Sequence, residues 1–202
     1  IDGTKCTSLV EPISQHGRES ESALGIMLVN LAYENAQIEW YIQEMDIGYY
    51  YTASELKEKL LATDMKEKAA NSIVKSFKRI TETPFGSNLN LGYTDGDDFV
   101  RTKISMSDNK VLLYALYKFV EICNMEKEFH LSYLLDDSIE RDGVSPVRMF
   151  GLYDEEELKS KLIGLSSAYP EFINATFTND LKTITLRDKT SADVLELFKE
   201  DM

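Results

Sequence analysis

The sequence predicts a mainly α protein with small β-hairpins, an α+β chain built as tandem winged-helix-like halves. The stretch from Asp64 to Ile104 reads as an amphipathic helix, a proline stop and a two-stranded ribbon. The same order of elements returns after Ile104, with helix-ending Pro84 and Pro170 lying 86 residues apart. An apolar content of 43% over 202 residues is enough for ordinary packed cores. Identity between the halves is low, so the repeat rests on element order and hairpin placement. The pattern divides the chain into a linker or docked arm over residues 1–21, a first half over 22–105, and a second over 106–202 with a closing C-terminal helix.

Gly3, Pro12 and Gly17 among polar residues give the arm no sustained period. From Ser22, a plausible N-cap, Leu24, Met27, Leu28 and Leu31 make one helical face. A second helix over Ala36 to Met45 turns Ile38, Tyr41, Ile42 and Met45 inward, with Trp40 as core packing. Thr52-Ala53-Ser54-Glu55 matches a capping box ahead of Leu56, Leu60 and Leu61. The next helix collects Ala69, Ala70, Ile73, Val74, Phe77 and Ile80 on a buried face. Its opposite stripe is Lys68, Ser72, Lys75 and Arg79, with Asn71, Ser76 and Lys78 beside it. Thr83-Pro84 stops that helix, because a residue before proline is pushed out of the α region. A ribbon follows from Leu89 to Tyr93, a turn at Thr94-Asp95-Gly96-Asp97, and a return over Phe99 to Ile104 carrying Arg101 and Lys103.

In the second half Ser107 is the expected cap of a strongly apolar helix running through Val111, Leu116 and Cys123. A shorter helix is expected over Glu128 to Leu135. Ser145-Pro146 reads as an N-cap with proline at the first helical position, giving one turn that Gly151 ends. Asp154 to Glu157 open a third helix where the dipole favours acids, with Leu158, Leu162, Leu165 and Tyr169 inward. Phe172 to Thr178 alternates as a strand, Asn179-Asp180 turns, Leu181 to Arg187 returns, and Thr190 or Ser191 caps the last helix.

Net charge is −13, which argues against a surface that is wholly a nucleic-acid footprint. Between Lys66 and Lys103, however, seven basic residues face five acidic ones, a net of +2 that leaves −15 for the rest. A helix with cations and small polar groups on its outer face resembles a recognition helix. Lys68, Ser72, Lys75, Lys78 and Arg79, with Arg101 and Lys103 on the wing, are therefore the candidate nucleic-acid contacts, and so few cations imply weak DNA binding. Arg141 and Arg148 flank a capped turn that could hold an anion or an acidic partner segment, or could pair with neighbouring carboxylates.

Catalytic patterns are missing. Asp136, Asp137, Glu140 and Asp142 fall at a helix end, where charged residues are normally solvated. His16 and His130 have no sequence-adjacent ligand partner. Phe85-Gly86-Ser87-Asn88 is expected to precede strands, whereas phosphate-cradling glycines open a helix. No nucleophile elbow, HExxH or Walker motif occurs, so neither an active site nor a cofactor is expected. Cys6 and Cys123 lack the spacing of a disulfide framework or a zinc site, which fits a reducing, cytoplasmic setting. The longest apolar run, Ala23 to Val29, is too short to span a membrane. Neither an initiating Met nor a signal peptide is present, as in a piece of a longer chain.

Five runs carry a resemblance: Ile26 to Tyr33, Val111 to Phe119, Asp142 to Pro146, Arg148 to Leu152 and Tyr169 to Thr178. They resemble an uncharacterised bacterial domain found at the C-terminus of phosphoadenosine-phosphosulfate-reductase-like proteins, with relatives associated with DNA phosphorothioation and restriction loci. The resemblance covers nearly the whole chain from about Ser22. It implies an accessory module, with the chemistry in an upstream nucleotide-binding reductase-like domain that grips pyrophosphate with a Ser-Gly-Gly-x-Asp-Ser loop. This sequence has neither that loop nor the reductase's Glu-Cys-Gly motif, so no catalytic residue carries over. The expectation is a non-catalytic module docking a parent enzyme onto nucleic acid. A protein-interaction scaffold and a contribution to the parent's active site are the alternatives.

Overall fold

The computed structural model describes residues 20–139, 141–178 and 181–199. Most of the expected arm, with Cys6, His16 and Arg18, lies outside the described residues, as do Glu140 and the turn at Asn179-Asp180.

In the first half the elements are α1 (Glu21–Glu34), α2 (Ala36–Glu44), β1 (Tyr50–Tyr51), α3 (Ala53–Leu61), α4 (Glu67–Ile80), α5 (Pro84–Asn88), β2 (Gly92–Asp95) and β3 (Asp98–Arg101). The second half continues with α6 (Asn109–Ile122), β4 (Glu128–His130), α7 (Ser132–Leu135), α8 (Pro146–Phe150), α9 (Glu155–Ala168), β5 (Ile173–Phe177), β6 (Lys182–Leu186) and α10 (Ser191–Glu196). The protein is mainly α with two small antiparallel sheets, of order β1-β3-β2 and β4-β6-β5. In both, the returning hairpin strand is central and a short early strand closes its far edge. Helix, edge strand, short helix, long helix, hairpin is the winged-helix order, and it occurs twice, interrupted by α5 before the first hairpin and by α8 before the second long helix. The long helices ahead of the two hairpins, α4 and α9, each span 14 residues.

Local chemistry explains most boundaries. Asn35 Oδ1 accepts from the amides of Gln37 and Ile38 and so opens α2. The Thr52–Glu55 capping box forms at α3, with Thr52 N donating to Glu55 Oε2 at 2.8 Å. Gly151, at φ +73°, ends α8 in the left-handed region.

Four boundaries differ from the sequence reading. The cap of α1 is Ser20, and Ser22 instead donates to Asp108 at 2.8 Å. Asp108 in turn caps α6, while Ser107 donates from its backbone N and its Oγ to Glu21. These crossed contacts pin the two helix starts together. Pro84 begins a further short helix, α5, with Thr83 Oγ1 as its cap, so the first ribbon strand begins only at Gly92. Glu128 to His130 is a strand, because the short apolar run also fits exposed-buried-exposed alternation and Phe129 pairs with Ile184 of β6.

One hydrophobic cluster draws on both halves. Helix α1 lies against α6 at a glycine, since a Cβ at Gly25 would stand 2.8 Å from Val111 Cγ1. Burial of Ile73, Val74 and Phe77 fixes the inner face of α4, each contributing on the order of 1.5–3 kcal/mol.

Candidate nucleic-acid interface

Helix α4 is oriented from below. Trp40 stacks on Phe77 with ring centroids 5.7 Å apart and planes 7° from parallel, and Tyr41 tilts against the same ring at 5.4 Å. With that face held, Lys68, Ser72, Lys75 and Arg79 emerge exposed on the other. Their spacing of four, three and four residues is one helical stripe, and at about 1.5 Å rise per residue it runs roughly 16 Å.

The state of the cations is informative. Among the described residues, the side chains of Lys66, Lys68, Lys75, Arg79 and Lys118 make no hydrogen bond, ion pair or ring contact. Four of these five belong to α4 or its N-cap position, Lys66. Elsewhere, Lys118 apart, the described cations are engaged, as Lys127 is with Asp188 at 2.9 Å, Lys159 with Glu155 and Glu156 at 2.8 Å and Lys182 with Glu155 at 2.6 Å. The sequence reading missed Lys66 as a site residue, because it precedes the periodic segment and its role as an N-cap involves no side-chain bond.

A cleft of about 500 Å³ runs between α3 and α4, lined by Ser54, Lys57, Asn71, Val74, Lys75 and Lys78. Lys57 Nζ meets Glu67 Oε1 at 2.6 Å across the two helices, and that hydrogen bond holds the Glu67 carboxyl below its usual range. Lys78 is half-buried and donates to the Asp97 carbonyl, so it props the wing while lining the cleft.

The wing itself departs from the sequence reading. Arg101 was expected to touch phosphate, yet it is only 1% exposed. Its side chain alternates inward from β3, and its guanidinium donates to the carbonyls of Ile42 (2.7 Å), Met45 (2.6 Å), Arg148 (2.5 Å) and Met149 (3.4 Å). Desolvation lowers its pKa, with Tyr41, 5.4 Å from ring centroid to guanidinium carbon, opposing that shift. Arg101 therefore clamps the C-terminal end of α2 to α8 and cannot reach a ligand. Lys103 is correspondingly not a free wing cation: it lies beyond β3 and pairs with Glu157 of α9. The wing tip instead presents exposed Asp95 and Asp97.

Arg148 and Arg141 line a cavity of about 420 Å³ with Gln43, Glu44, Asp137 and Ser145. Arg148 has spent its fork: Nε donates to Ile42 O at 3.1 Å, one terminal nitrogen to Gln43 O and Asp46, the other to Asp137 at 3.0 Å and Tyr153 at 3.2 Å. Arg141 donates to the carbonyls of Ile139 and Asp136. The ion-pairing alternative holds for Arg148, and Arg141 braces its own loop.

The remaining candidates stay apart. Asp136 accepts from Ser138, which lowers its pKa, Asp137 is paired with Arg148, and Asp142 is exposed. His130 Nδ1 accepts from the Ser132 amide at 3.2 Å, an ordinary local contact at the start of α7. Burial pushes the Cys123 thiol up, away from a reactive thiolate. Among the described residues no group of His, Cys, Asp and Glu could hold a metal ion, and no helix is long and apolar enough to cross a membrane.

No family model matches the sequence, and no curated protein does. A solved structure titled "SspB crystal structure" is similar in fold, with a TM-score of 0.59 at 14% identity over 82% of this chain. The match takes in 53% of that chain, so this protein spans about half its length.

Proposed function

We propose that this chain is a non-catalytic accessory module that docks onto duplex DNA through α4. The observation that carries the reading is the stripe Lys68, Lys75 and Arg79, with Lys66 exposed at the N-cap position: cations with no partner among the described residues, in a chain of charge −13. Cations left solvated beside so many carboxylates are available to phosphate. Ser72 and Asn71 stand on the same exposed side as hydrogen-bonding groups. The wing takes no part, since Arg101 is buried and Lys103 paired.

The sequence runs from Ile26 to Thr178 support the parent as a phosphoadenosine-phosphosulfate-reductase-like enzyme, in a DNA-modification or restriction setting. In that arrangement the upstream domain performs the chemistry and this module adds affinity for the substrate. Tethering makes even a weak contact useful, because linked sites act at high effective concentration.

Fluorescence anisotropy with a labelled duplex tests the reading. With three or four phosphate contacts the slope of log affinity against log salt is about −3, at roughly −0.9 per contact, and binding fades near physiological salt. Lys75→Glu with Arg79→Glu abolishes binding and leaves the circular dichroism spectrum unchanged. No binding at low salt, or a double variant with the parent's affinity and slope, overturns the proposal.

A further inference from the structure

The outward face of the first sheet carries a second surface, of opposite character to α4. Tyr50 and Tyr93 flank Val100 on either side of the central strand, both in register with it. Cross-strand partners project to the same face. The two phenol oxygens approach to 3.3 Å while Val100 is 1% exposed, so the rings close over it from both edges. The tyrosines themselves remain 49% and 43% exposed.

Two residues further along the ladder Asp95 stands directly opposite Asp98. By strand alternation this pair shares the tyrosines' face, about 7 Å away at roughly 3.4 Å per residue. Like charges directly opposite each other destabilise a ladder. Neither carboxylate makes an ion pair among the described residues, Asp97 adds a third at the turn, and the one cation that reaches this turn, Lys78, is bound to the Asp97 backbone carbonyl. An aromatic row beside carboxylates that no side chain pairs is complementary to a guanidinium. A guanidinium can lie on a tyrosine face while its neighbour pairs with a carboxylate.

We propose that this sheet face docks an arginine-bearing basic segment of a partner protein. The site is independent of the α4 stripe. Charge selects the occupant: single-stranded nucleic acid could stack on the tyrosines, but its phosphates would meet Asp95, Asp97 and Asp98.

The test is a titration of the full chain at physiological salt with two fluorescent peptides of equal charge, one arginine-rich and one lysine-rich. Direct contact with the tyrosine faces makes the arginine peptide the tighter binder. Tyr50→Ala with Tyr93→Ala then costs it on the order of tenfold, from two exposed cation–π contacts. Tyr50→Phe with Tyr93→Phe retains binding, because the rings remain. Asp95→Asn with Asp98→Asn weakens binding without removing any packing atom, which guards against a misfolded alanine variant. Equal affinity for the two peptides, or affinity untouched by the aspartate double change, would show only attraction to net charge and overturn the proposal. So would oligothymidine binding that the alanine variant loses while the arginine peptide fails to bind.

Discussion

Replacing Arg101 by Met probes the junction between the halves. Met has similar length and no donors, so the four carbonyls at Ile42, Met45, Arg148 and Met149 lose their guanidinium partner. Ile42 O keeps the Arg148 Nε donor at 3.1 Å, and the Met149 contact at 3.4 Å is weak. The principal losses are therefore at Met45 O and Arg148 O. An unsatisfied buried polar group costs about 1–3 kcal/mol, so two give roughly 2–6 kcal/mol. Against this, the Arg101 charge is itself desolvated and its Nε makes no hydrogen bond, so Met recovers part of the cost. The expected net loss is about 3 kcal/mol. Urea unfolding followed by Trp40 fluorescence and far-UV circular dichroism reads this directly: with a slope of about 2 kcal/mol/M the midpoint falls by roughly 1.5 M. Arg101→Lys should recover little, since an ammonium cannot reproduce the planar fork. A Met variant as stable as the parent, or more so, would refute the clamp. It would make Arg101 a buried ion that hydrophobic packing replaces without loss.

Gly86→Ala should destabilise by several kcal/mol, because the added Cβ would sit 1.9 Å from Ile80 O and force α5 off the end of α4; thermal unfolding reads it. Thr52→Ala removes the α3 capping box and should cost about 1 kcal/mol in the same assay. The hydrogen bonds from Lys159 and Lys182 lower the Glu155 pKa to about 2. A depressed folded-state value means stability that is fully present above the unfolded pKa, near 4.5, and is lost as pH falls through 2. Glu155→Gln should accordingly flatten the stability profile between pH 4.5 and 2 and leave it unchanged in slope at neutral pH.

Long amphipathic segments and some caps were legible because each depends on residues within one turn, whereas the caps of α1 and α6 were placed on Ser22 and Ser107, whose side chains go to the other helix start instead. The Thr52–Glu55 box, the Pro146 start of α8 and the inward stripe of α9 all follow from local spacing. Glu128 to His130 was not legible: three residues cannot distinguish a helical from a strand period, and the partner that decides, β6, lies more than fifty residues away. The wing cations failed for a related reason. Alternation along Phe99, Val100 and Arg101 puts Phe99 and Arg101 on the same, inward face, where a charge is tolerated only because backbone carbonyls from α2 and α8 converge there. No sequence pattern records that convergence. The α4 stripe could be read because both its faces are encoded in one stretch.

The two sheets share a strand order while the long helices beside them differ in charge, and this bears on the proposed DNA contact. The first half's long helix presents Lys68, Lys75 and Arg79 unpaired, whereas α9 begins with Glu155, Glu156 and Glu157 and pairs Lys159 within its own first turns. Lys161 of α9 donates to Asn109, and Lys182 on the adjoining strand goes to Glu155. Two equivalent basic helices would double the phosphate contacts and roughly double the salt slope. With the second helix self-neutralised, only α4 offers such a stripe among the described residues, so the proposed DNA contact predicts a slope near −3 and a low affinity. Lysines introduced at Glu156 and Ser160, both exposed on α9, would recreate the missing cations. They should steepen the slope only if the second helix can lie on the same duplex, so an unchanged slope would show that DNA engages the first half alone.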